Sequence, residues 1–204
     1  MDYTIDSILA VIVEAVTSNG SFSDRMARVI DECERQKPHP DWQRMRRIAF
    51  HLDESALNDW LPQAFAGAGS ATSFRGLWFG LNNPVVKGAV TADIYVGATE
   101  SYASESLDWA VEIAELSKPG YLRSKVLDAI YSLAYGRDGG LENDAEYPLV
   151  LAYGSMCARE ALERTPRAGA LVNLCGAACS FNSGDALHLG QFDGERFSTN
   201  VAAA

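Results

Sequence analysis

Phe74-Arg-Gly-Leu-Trp-Phe-Gly-Leu-Asn-Asn-Pro84, followed by Val90-Thr-Ala-Asp-Ile-Tyr-Val96, decides the fold class. In the first run Phe74, Leu77, Phe79 and Leu81 are apolar at a spacing close to two. In the second, Val90, Ala92, Ile94 and Val96 alternate with Thr91, Asp93 and Tyr95. A period of two sends successive side chains to opposite faces of a strand, and Asn82-Asn83-Pro84 supplies turn chemistry between the runs. The expectation is an antiparallel pair over 73–82 and 88–98.

Upstream the period is helical. Ile5, Ile8, Leu9, Ile12, Val13 and Val16 form one stripe and Gly20 follows as a stop, which predicts a helix over 3–18. Ser23 is the expected cap of a second helix with Phe22, Met26, Val29, Ile30 and Cys33 on its apolar face, ended by Pro38-His39-Pro40. A third helix is expected from Asp41, burying Trp42, Met45, Ile48, Ala49 and Leu52. A fourth follows Ser55, carries Ala56, Leu57, Trp60, Leu61 and Phe65, and bends near Pro62. The glycine-rich stretch 65–73 lacks the lysine of a P-loop and follows a helix where a dinucleotide loop would follow a strand, so it reads as a connector.

Downstream the helical period returns with Leu107, Ala110, Val111 and Ala114, then with Leu122, Val126, Leu127, Ile130 and Leu133, the two separated by Pro119-Gly120. A loop spans Tyr135 to Glu146. Pro148 suits the first turn of a helix with Leu149, Ala152, Tyr153 and Met156 facing inward and Arg159 near its C-terminal end. Ala170 to Ala177 reads as a buried strand, and segments 186–192 and 195–201 flank the hairpin signal Asp193-Gly194. With no βαβ alternation, the fold class is α+β: N-terminal helices, then a mixed, largely antiparallel sheet of about five strands packed with further helices. A single domain over 1–204 is expected, with a helical subdomain over 1–66 and an α+β region over 73–201 as its natural subdivision.

At 48% hydrophobic and 22% charged residues, the chain can bury a core. It opens Met1-Asp2-Tyr3 and its apolar run Ile8–Val16 is interrupted by Glu14, which is unlike a secretory signal. No stretch approaches the roughly 20 apolar residues of a membrane helix, so the expectation is a soluble, cytoplasmic protein. Its four cysteines, Cys33, Cys157, Cys175 and Cys179, then read as reduced and mostly buried.

Between Asp93 and Glu146 eleven carboxylates face four bases, a local net charge of −7 out of −10 for the chain. Such a field attracts cationic surfaces and repels nucleic acid. Asp108, Glu112 and Glu115 would share one face of the helix expected there, and Tyr95, Tyr102 and Trp109 are nearby aromatics of the kind that anchor interfaces. The expected docking residues are therefore Asp93, Tyr95, Tyr102, Asp108, Trp109, Glu112, Glu115, Glu142 and Asp144. The arginines between Arg25 and Arg47 are interleaved with acids and read as a salt-bridged helical surface.

Catalytic signals are weak. Cys175-x-x-x-Cys179 with His188 departs from zinc-knuckle spacing, and Cys175, Asp185 and His188 are the enzyme alternative. His51-Leu-Asp53-Glu54 places an imidazole near two carboxylates, and Gly154-Ser-Met fails the nucleophile-elbow pattern. No cofactor and no metal are expected. In size, charge and lack of a motif the chain is similar to the small acidic immunity proteins with which bacteria block basic toxic enzymes. The function expected is docking of a basic protein partner; self-association through Trp78 or Tyr95 is a third reading.

Overall fold

The computed structural model describes residues 5–68, 73–83, 85–86, 89–90, 93–111, 113, 115–136, 140–166, 168–181 and 186–203. Helix α1 (Ile5–Thr17) buries Ile8, Ile12 and Val16 of its stripe together with Ala15, with Leu9 and Val13 partly buried and Ile5 half exposed. Helix α2 (Phe22–Gln36) is capped by Ser21, whose Oγ accepts from Asp24 N at 3.1 Å. The cap thus lies two residues before Ser23, because Phe22 must enter the helix to reach Tyr153, 5.3 Å away between ring centroids. The expected third helix shrinks to α3 (Trp42–Met45). Trp42 Nε1 is drawn back to Lys37 O (2.8 Å) and Phe50 O accepts from Tyr153 Oη (3.1 Å), so the segment after Met45 runs in turns that bury Ile48 and Phe50 and leave Leu52, expected on the buried face, 45% exposed. Helix α4 (Glu54–Ala64) keeps Pro62 within its last turn.

The strands are β1 (Gly76–Asn82), β2 (Val85–Val86), β3 (Ala89–Val90), β4 (Asp93–Thr99), β5 (Glu115–Arg123), β6 (Gly176–Phe181), β7 (Ala186–Asp193) and β8 (Arg196–Ala203). Six of them form one mixed sheet in the order β5-β4-β1-β6-β7-β8, and β2-β3 is a small separate hairpin. The expected pairing is in place, β1 antiparallel to β4 with Phe79 opposite Val96, but its second strand begins at Asp93; Ala89–Val90, expected in that strand, pairs with Val85–Val86. The β1/β6 pair is parallel and the other neighbours are antiparallel. The fold is α+β, with six strands in place of about five.

The extra strand is the main correction. The stretch read as a helix around Leu107–Ala114 holds a single 3₁₀ turn, Asp108–Val111, and Glu115–Arg123 pairs with β4. Pro119-Gly120 therefore lies inside a strand. Proline is tolerated there because β5 is at the sheet edge, where a missing N–H costs no ladder bond. Leu122 belongs to this strand and is buried. Likewise Gly169–Leu171 forms a 3₁₀ turn and the strand expected from Ala170 begins only at Gly176. In the last hairpin Asp193 pairs with Arg196, leaving Gly194-Glu195 as the two-residue loop. Gly194 has φ +60°, the requirement of the first position of a type II′ turn.

Helices α5 (Lys125–Ala134) and α6 (Asn143–Arg164) complete the layer. Helix α6 starts before Pro148 and is buried nearly all round, packing against α1, α2, α4, α5 and the sheet. Gly154 lets it approach β1: a Cβ there would lie 2.3 Å from Leu81 Cδ2. Gly154-Ser155 is a packing site. Arg159, expected to complement its own helix, is buried and donates to Val16 O (2.6 Å) and Ser18 O (2.9 Å), capping α1. One apolar core runs from Ile8 to Val201 and takes Leu77, Phe79 and Leu81 from β1, Ile94, Val96 and Ala98 from β4, and Leu187 and Leu189 from β7. Among the described residues, no helix is long and apolar enough to cross a membrane.

Candidate functional site

Strand alternation turns a second set of side chains to the far face of the sheet, away from the helices. On β1, β4 and β5 these are Trp78, Tyr95 and Tyr121, a row with ring centroids 5.4 and 5.8 Å apart. Trp78 is fixed by donation from Nε1 to Ser180 Oγ at 2.7 Å. Tyr95 lies over Gly80, where a Cβ would meet its ring at 2.1 Å. Burial, with Tyr121 beside it, pushes the Tyr95 hydroxyl up to about 12, so Tyr95 is neutral at physiological pH. Tyr121 is 58% exposed.

The segment 100–111 lies across the same face. Trp109 covers Gly76 and Tyr102 covers Gly176, with ring atoms 2.4 Å from the Cβ each glycine lacks; Gly76 and Gly176 are register partners. The two rings contact each other at 5.1 Å, and Trp109, Ala110 and Ala178 form a small second core against Trp78. Tyr102 Oη and His188 Nε2 are 2.7 Å apart. Burial raises the tyrosine to about 12 and lowers the histidine below its ordinary 6.5, so the tyrosine donates and the neutral imidazole accepts.

That pair has a pH signature. A histidine with a lowered folded pKa contributes stability that is fully present above its ordinary value of 6.5 and is lost as pH falls through the folded value. Thermal unfolding between pH 7.5 and 5 should show a fall in stability that is shallower in His188→Gln. Identical slopes would mean that His188 is not the group responsible.

At the β4–β5 end Arg123 is shared by two carboxylates, 3.6 Å from Asp93 and 3.3 Å from Asp128. The trio keeps a net negative charge. Burial raises the Asp93 carboxyl, Arg123 opposes this and Asp128 adds to it. Asp93 Oδ1 is buried without a hydrogen-bond partner among the described residues.

No family model matches this chain, and neither curated proteins nor solved structures provide a match.

The structure brings together Asp93, Tyr95, Tyr102, Asp108 and Trp109 on or beside the far face. Glu112 lies outside the described residues, and Glu115 sits in β5 opposite Ala98. The helical face that Asp108, Glu112 and Glu115 would have shared does not exist, because the chain leaves the 3₁₀ turn for a strand. Glu142 and Asp144 belong to the helical layer: Glu142 precedes the first turn of α6 at φ +43° without a side-chain cap, and Asp144 pairs with Lys37.

Of the enzyme alternative, Asp185 lies outside the described residues. Cys175 Sγ points to Asn173 O at 3.6 Å, while His188 Nε2 is taken by Tyr102. No disulfide joins the four cysteines, and Cys33, Cys157 and Cys179 are buried. Burial raises Cys157 well above its ordinary value and Cys179 to about 12. Titration of the native protein with a disulfide reagent is expected to modify Cys175 alone, and Cys175→Ser should abolish the reaction. His51 is exposed whereas Asp53 is turned inward, so that pair forms no site. The described residues contain no cluster with the makings of a metal site.

Sequence reasoning passed over Tyr121, Ser180 and the glycines of the far face. Gly76 and Gly80, flanking Leu-Trp-Phe in one strand, were the available signal: glycine inside a strand marks close approach by another group.

Proposed function

We propose that the protein is an acidic binding protein that docks a basic protein partner through the far face of its sheet, acting by occlusion or tethering without chemistry of its own. An immunity or inhibitor protein that neutralises a toxic enzyme in the cytoplasm fits this role. The carrying observation is the row Trp78–Tyr95–Tyr121, uncovered enough to leave Tyr121 more than half exposed and bordered by Asp93, Asp128 and the acid-bearing segment 100–111. Pre-positioned aromatic rings lose little entropy on binding and are the side chains that dominate interface energetics, commonly about 2 kcal/mol or more each. The negative field of the chain speeds encounter with a cationic surface, and salt weakens that effect.

Affinity capture from lysate with wild-type and Tyr121→Ala bait tests the reading. A basic protein retained at low salt and shed as salt rises should be retained about tenfold less by Tyr121→Ala, and equally by Arg28→Ala on α2. Equal retention by all three baits would remove the far face from the interaction. A second copy of the chain covering the row would instead appear as a dimer in light scattering that Tyr121→Ala dissociates.

A further inference from the structure

At the free end of the sheet, α4 overhangs β5 and leaves a cleft of about 290 Å³. Helical spacing puts Ser55, Asp59 and Gln63 at i, i+4 and i+8 along its rim, all exposed. Trp60 and Leu122, 5% and 6% exposed, form its inner wall, and Tyr121 completes the lining. Asp59 is the one carboxylate in the lining, which holds no cationic side chain. Trp60 Nε1 is buried and has no acceptor among the described residues, a state that favours any ligand able to supply one.

Beside this cleft runs the outer edge of β5. The strand ends the sheet order, so among the described residues nothing pairs with that edge. An unpaired edge is a template for an added strand, and a pocket beside it selects one side chain of that strand. An indole wall and a carboxylate suit a planar cation: a guanidinium stacks on indole and donates two parallel hydrogen bonds to a carboxylate, which an ammonium cannot do.

We infer that an extended segment of the basic partner pairs with the edge of β5 and inserts an arginine into the cleft, beside Asp59 and Trp60. The inference rests on the docking function proposed above and gives that partner a specific chemical feature. A main-chain carbonyl of the added strand is also the kind of acceptor that Trp60 Nε1 lacks. Tyr121 belongs to both surfaces: its ring ends the aromatic row on the far face, and the residue also lines the cleft.

The test uses the full ¹⁵N-labelled chain and two peptides, acetyl-Thr-Val-Arg-Val-Thr-amide and its Arg→Ala counterpart. The four tryptophan indole signals report position, and Trp60→Phe assigns the relevant one. The arginine peptide should shift the Trp60 signal saturably, and the alanine peptide should bind at least about tenfold more weakly. Asp59→Asn, at an exposed position, should weaken the arginine peptide to a similar degree with thermal unfolding unchanged. A Trp60 signal that stays still, or moves equally with both peptides, overturns the inference. If the arginine peptide moves Trp78 and leaves Trp60 unmoved, the cleft is overturned while docking on the aromatic row stands.

Discussion

Gly190→Ala is expected to lower stability by about 3–5 kcal/mol, from the combined cost of a strained backbone and an overpacked site. Gly190 has φ +143°, and an added Cβ would lie 2.2 Å from Ser198 O, 2.9 Å from Asn200 N and 3.0 Å from Thr199 Cα. All three are backbone atoms of β8, so no rotamer change relieves the clash. The residue sits where both neighbouring strands shift register, between His188 and Gly190 against β8 and between Ala177 and Ala178 against β6. Such bulges re-aim a side chain, and here the side chain is His188, which meets Tyr102. Against a total stability of about 5–15 kcal/mol the loss is large. Gly194→Ala is the control: φ is +60° but nothing lies within 4 Å, so only about 1 kcal/mol is expected. Urea unfolding of both variants checks the ranking, and a smaller loss at Gly190 than at Gly194 would refute it.

Asp53→Ala is the second large effect, a loss of about 3–4 kcal/mol. Asp53 is 3% exposed and anchors the start of α5 from the turn before α4. Its Oδ1 accepts from Lys125 N at 3.0 Å; its Oδ2 accepts from Ser124 Oγ (2.5 Å), Val126 N (3.4 Å) and Tyr153 Oη (3.2 Å). Ser124 is itself the cap of α5, accepting from Leu127 N. Alanine would take the acceptor from the buried Ser124 hydroxyl and Val126 N–H, and from Lys125 N–H, while Tyr153 Oη keeps Phe50 O; a buried donor left without a partner costs more than a hydrogen bond contributes when made. The negative charge at a helix N-terminus is lost as well. Denaturant titration should show a lower midpoint with an unchanged slope. A loss under about 1 kcal/mol would mean that water replaces the carboxylate.

Local chemistry made some of this architecture legible. The stripe of α1, the alternation that pairs β1 with β4 and the Asp193-Gly194 signal depend on nearest neighbours in sequence, and each appears where expected. The failures have a common cause in tertiary context. Glu115–Arg123 carries a proline and a glycine that locally end structure, yet the open edge of β4 supplies a ladder that overrides them. Asp53, surrounded by polar residues in sequence, is buried because the α5 N-terminus and Tyr153 come from 70 to 100 residues away. Tyr95 and Trp109 stand out in the sequence as candidate anchors by residue type, but their placement on the far face does not. The far face exists as a surface only because Gly76, Gly80 and Gly176 let rings lie flat on the sheet, and glycine in a strand carries no sign of what will cover it.

Hydrogen exchange of the protein alone and bound to its captured basic partner is the most direct measurement of the central claim. Docking through the far face predicts slowed exchange in β4, in β5 and in segment 100–111, with α1 and α2 unchanged. Slowed exchange confined to α1 and α2, with β4, β5 and segment 100–111 exchanging as in the free protein, would contradict it.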